Sequence, residues 1–86
     1  MKESQSYWVR VATGDNYVLT VIAITPDEIV SSEAAWIAET GCRLHHFLAG
    51  GPTSESECER MGAGFAVARQ AIVAWQPWAH AVPVSQ

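Results

Sequence analysis

Cys42, His45 and His46, with Cys58 and His80 further along, are the residue types that ligate transition metals. Zinc takes four nitrogen or sulfur ligands, usually from two closely spaced pairs. Cys42-x-x-His45 makes one such pair, but Cys58 and His80 stand alone. Along a strand, positions 42 and 45 also point to opposite faces. No metal and no cofactor is therefore expected. Covalent catalysis by the same residues needs an activated thiolate. Cys58 sits near the start of a predicted helix, whose dipole favours ionisation, but Glu55, Glu57 and Glu59 surround it and oppose that. No catalytic residue is assigned, and both cysteines are expected as free thiols in a reducing cytosol.

Two other constellations are weaker. Gly62-Ala63-Gly64 lacks the third glycine of a dinucleotide fingerprint and falls inside a predicted helix. Asp27/Glu28 and the Glu55–Glu59 run lie at exposed helix starts, where nothing desolvates a carboxylate and tunes it for acid–base work.

The elements that would position these residues follow from local pattern. Met1–Ser6 reads as a disordered lead. Tyr7–Thr13 is rich in β-branched and aromatic residues and predicts a strand; Gly14-Asp15-Asn16 predicts a hairpin loop, and Tyr17–Ile24 a returning central strand. Thr25-Pro26-Asp27-Glu28 has the form of a capping box, predicting a helix over 26–40 that stops at Gly41. Cys42–Leu48 predicts a third strand. Ser54-Glu55-Ser56-Glu57 repeats the capping signature, and Cys58, Met61, Phe65, Ala68, Ile72 and Trp75 recur at helical spacing until Pro77. Trp78–Val84 is compatible with a short edge strand. The expectation is an α+β fold: a small, mostly antiparallel sheet in the order β-β-α-β-α, with a short C-terminal edge strand and two helices on one face. One domain spans 7–84, and 85–86 form a tail.

Composition bounds the reading. The 86 residues are 49% apolar and 16% charged, with net charge −4, which suits a single globular domain and not a disordered chain. No apolar run approaches the roughly 18 residues of a membrane span. The polar start predicts no secretory signal and hence a cytoplasmic protein. So short a chain is marginal as a monomer, and with no disulfide framework a homodimer is expected.

One surface then stands out. Two helices sharing one sheet face leave the other bare, and strand parity puts Trp8, Arg10, Arg43, His45 and Phe47 there, extended by Thr20, Trp78 and His80. Contiguous apolar surface bearing aromatics and arginines marks an interaction site. The expected function is a small non-enzymatic protein-binding module of regulatory or inhibitory type, of the kind bacteria and phages encode, covered by a second copy or by a different protein. The alternative is single-stranded nucleic acid stacking on Trp8 and Phe47 with its phosphates on Arg10 and Arg43. The third is the Cys/His metal or thiol site.

Overall fold

A computed structural model describes all residues, Met1–Gln86. Its elements are β1 (Ser6–Val11), β2 (Asn16–Ile24), β3 (Glu28–Glu39), α1 (Leu44–Gly50), β4 (Glu57–Arg60), β5 (Ala66–Ala68), a 3₁₀ turn (Arg69–Ala71) and β6 (Ile72–Pro77). All pairings are antiparallel, in the order β4-β3-β2-β1-β6, with β5 also on β3. β1, β2 and β3 form a meander. The far edge of β3 is shared, with Glu28–Val30 taken by β5 and Ala35–Glu39 by β4.

The connection from β5 to β6 dictates the shape. In a flat sheet these strands would stand four spacings apart, about 19 Å at roughly 4.8 Å per spacing. Ala68 to Ile72 is four residues, which reach at most about 14 Å even fully extended. The sheet must therefore curl until the end of β5 lies within reach of the start of β6, and it forms a partly open barrel. Ala71 extends the β1–β6 pairing by accepting the Ala12 N–H at 2.8 Å. Inside the curl lie Tyr7, Val9, Val11, Leu19, Val21, Ile29, Ala34 and Val67. A second core lies on the outer face: Trp8, Val18, Ala35, Ile37, Phe47, Cys58, Trp78 and Val82, contributed partly by α1 and partly by the segment after β6. No helix is long and apolar enough to cross a membrane.

The α+β arrangement with two helices on one face is not what forms: the molecule is a six-stranded antiparallel sheet with one short helix. The predicted helix 26–40 is the strand β3. Its apparent capping box is a turn, in which Thr25 Oγ1 accepts the N–H groups of Asp27 (3.2 Å) and Glu28 (3.0 Å) and the Thr25 N–H reaches the Glu28 carbonyl. A threonine hydroxyl caps a helix and closes a hairpin by the same bonds. Pairing decides between them: β3 is hydrogen-bonded along both edges and buried on both faces, with Ala34 in the inner core and Ala35 and Ile37 in the outer. Burial on both faces blurs the alternation of a strand.

The predicted helix 55–76 is likewise β4, β5, the 3₁₀ turn and β6, interrupted by a turn where Gly64 has φ +82° and Phe65 N–H bonds to the Gly62 carbonyl. The predicted strand 42–48 is instead α1, which begins after Arg43 and ends where Gly51, at φ +80°, donates to the Phe47 carbonyl. Trp78–Val84 forms no strand. Residues 1–6, read as a disordered lead, run along β2: Ser4 N–H bonds to the Val21 carbonyl, Val21 N–H to the Gln5 carbonyl, and Ser6 opens β1.

Candidate functional site

The five residues nominated from sequence separate into two groups. Trp8 and Phe47 do come together, but in the outer core, at 6% and 0% exposure. Trp78 packs on Phe47 with ring centroids 5.3 Å apart, and its indole N–H bonds to the Ala81 carbonyl, closing the segment over the sheet. The bare aromatic face is thus absent, because α1 and residues 78–82 cover it from within the same chain. Arg10 is half-buried beside it. Its Nε and the Trp8 indole N–H both donate to Asn16 Oδ1, at 3.1 and 3.2 Å, and its guanidinium lies 5.6 Å from the Trp8 ring centre. Arg43 and His45 are exposed at the start of α1, where His45 stacks edge-on to His46 at 4.1 Å. Thr20 bonds to Ser6 at 2.8 Å, and His80 Nε2 lies 3.3 Å from the Leu48 carbonyl oxygen.

No three His, Cys, Asp or Glu side chains converge as a metal site would require. Cys42 is half-buried with its thiol directed at the Thr40 carbonyl, and Cys58 is in the outer core. Burial pushes the pKa of the Cys58 thiol above its ordinary value, which disfavours the thiolate that a nucleophile needs.

The exposed apolar surface lies elsewhere. Ile22, Val73, Trp75 and Val84 are the large apolar side chains left in solvent, and two of the four are on β6. Of the edge strands, β4 and β6 differ in charge and cover. β4 carries Glu57, Glu59 and Arg60, and the chain end closes it: Cys58 and Gln86 exchange both backbone hydrogen bonds, while the Gln86 side-chain amide donates to the Thr53 and Ser56 carbonyls. β6, Ile-Val-Ala-Trp-Gln-Pro, carries no charge and pairs only with β1. Trp78 N–H points to Ser6 of β1, so by alternation the Trp75 N–H and C=O point away from the sheet. Charge and covering strands are the usual protections of an edge; β4 has both, whereas β6 has only a bulge at Val73 and Pro77 at its end.

Trp75 also walls a cavity. Trp75 is 48% exposed, and its ring meets Tyr7 edge-on at 5.4 Å. With it, Met1, Ile24, Ile29, Ile72 and the exposed Arg69 line a cavity of about 250 Å³. Arg69 is held by its backbone N–H to the Asp27 carbonyl and by Nη1 to the Thr25 carbonyl, 3.0 Å away.

Sequence reading missed Trp75, Val73 and Arg69 because it placed all three on a helix. The signal against that helix was local: two glycines within three residues, then the β-favouring run Ile72-Val73-Ala74-Trp75. No protein-family model, no curated protein and no solved structure matches this chain.

Proposed function

We propose that this chain is a small non-enzymatic protein-binding module of the cytoplasm whose recognition surface is the free edge β6 with Trp75 at its centre. One observation carries the reading: the charged edge β4 is closed by Gln86, whereas β6, an uncharged edge of six residues against the three of β5, is open beside a half-exposed tryptophan. Adding a strand to such an edge satisfies its free backbone groups and covers its apolar side chains together. A second copy joined through β6 is the simplest occupant. A segment of another protein would make the chain a regulatory or inhibitory subunit, a use suggested by its size alone. The nucleic-acid alternative gets no support from the rings it relied on, since Trp8 and Phe47 offer no face to a base.

Photo-crosslinking tests the reading. A photoreactive side chain replacing Val73 should yield a protein adduct in the cells the chain comes from, and one replacing Ala63, exposed in the turn between β4 and β5, should not. No adduct at 73, or equal adducts at both positions, would remove β6 as the recognition edge. The second copy is judged separately by light scattering: mass should rise toward twice the monomer with concentration, and Val73→Lys should hold it at the monomer.

A further inference from the structure

We infer that the cavity behind Trp75 receives the last residue of a different protein, with an apolar side chain inside the cavity and the terminal carboxylate on Arg69. The inference rests on the reading of β6 as the recognition edge and names the chemistry of what binds there. Size comes first. At about 250 Å³ the cavity falls below the roughly 300–1,000 Å³ of pockets that enclose a whole small ligand, and it suits a single side chain. Five of its six lining residues are apolar and the sixth is the exposed Arg69, so an apolar side chain fits among the five and an anion fits Arg69.

Arg69 is available for that anion. The chain's one ion pair is Arg60–Glu33 at 3.6 Å. Arg69 spends a single side-chain donor on the Thr25 carbonyl and keeps the rest of its fork for a carboxylate, which an arginine binds through two parallel bonds. Asp27 and Glu28, on the turn that Arg69 grips, are exposed, and neither carboxylate forms an ion pair with it. A C-terminal residue offers both groups at once, since its carboxylate and its side chain leave the same Cα. An internal acidic residue would need a second side chain for the cavity and room for both. The preceding residues of the partner, extended, run along β6 and meet the outward N–H and C=O of Trp75.

The test uses the full chain, isotopically labelled, and two forms of one probe: an acetylated six-residue peptide of alternating threonine and valine closed by phenylalanine, with a free C-terminal carboxylate or as the C-terminal amide. The free acid should shift the resonances of the Trp75 indole, Ile72 and Arg69 and bind about tenfold or more tighter than the amide. Arg69→Gln, at an exposed position, should bring the two forms within about twofold of each other. Equal binding of acid and amide at Trp75 would overturn the carboxylate assignment and leave the edge reading intact. No shift at these residues with either form would overturn the cavity assignment altogether, while crosslinking from position 73 judges the edge independently.

Discussion

Arg60 is the side chain that most visibly ties remote parts of the chain together. It pairs with Glu33 at 3.6 Å, and its guanidinium donates to the Val82 and Pro83 carbonyls at 3.3 and 2.9 Å. Hydrogen bonds from a charged donor contribute about 1.5–3 kcal/mol each when buried, and this side chain is 38% exposed. Arg60→Ala should therefore cost about 1–2 kcal/mol in chemical denaturation and raise amide exchange across 82–86 first. Phe47 has no exposure at all, and truncation of a buried phenylalanine costs about 3–5 kcal/mol. Phe47→Ala should bring the chain close to unfolding at ambient temperature. Trp75→Ala, at a half-exposed site, should cost under about 1 kcal/mol in the same assay. A large loss from Trp75→Ala would mean that its ring supports the barrel and does not stand ready for a partner.

At the scale of elements, glycine and the chain end set two constraints. Gly41 follows β3 at φ +74°, and a Cβ there would lie 2.5 Å from the Glu55 carbonyl carbon. Both the backbone conformation and the contact exclude a side chain, since the Glu55 neighbour is main chain and cannot swing away. Gly41→Ala should destabilise by about 2–3 kcal/mol, measured by thermal unfolding, whereas Gly62→Ala, with open space around it, should change little. The same glycine was legible from sequence as a stop signal, but for the wrong element: a C′ glycine and a glycine after a strand are the same residue in the same left-handed region. β1, the hairpin turn at Gly14 and β2 were readable because each has one dominant pattern, a β-branched run or a turn-former cluster, with no competing helical spacing. β3 and β6 were not. Their apolar residues serve two cores at once, and two interleaved period-two stripes supply contacts at three and four residues apart that mimic a helix.

Across the whole molecule, the radius of gyration of 11.8 Å agrees with the ~12 Å expected of a folded chain this long, so the fold closes without borrowing an element from a second copy. The two small cores that achieve this contain titratable groups whose ionisation folding resists. Burial raises the Cys58 thiol, and burial followed by the Asp15 carboxylate raises the Tyr17 hydroxyl. A folded-state pKa above the unfolded one contributes stability that is complete below the unfolded value and is lost as pH climbs toward the folded one. Stability should accordingly hold to about pH 8.5 and decline above it, and Cys58→Ala should flatten the early part of that decline in urea titrations at successive pH values. An unchanged slope in the variant would show that Cys58 is not the group responsible. Composition, the first hairpin and the turn residues were settled by the chain's local chemistry, because each depends on neighbours within a few positions. Which edge stays open, and whether Trp8 or Trp75 faces solvent, was settled by contacts between residues dozens of positions apart. Gln86 shields β4, Trp78 and Phe47 bury Trp8, and a three-residue turn brings β6 round to β1; local spacing carries no record of such meetings.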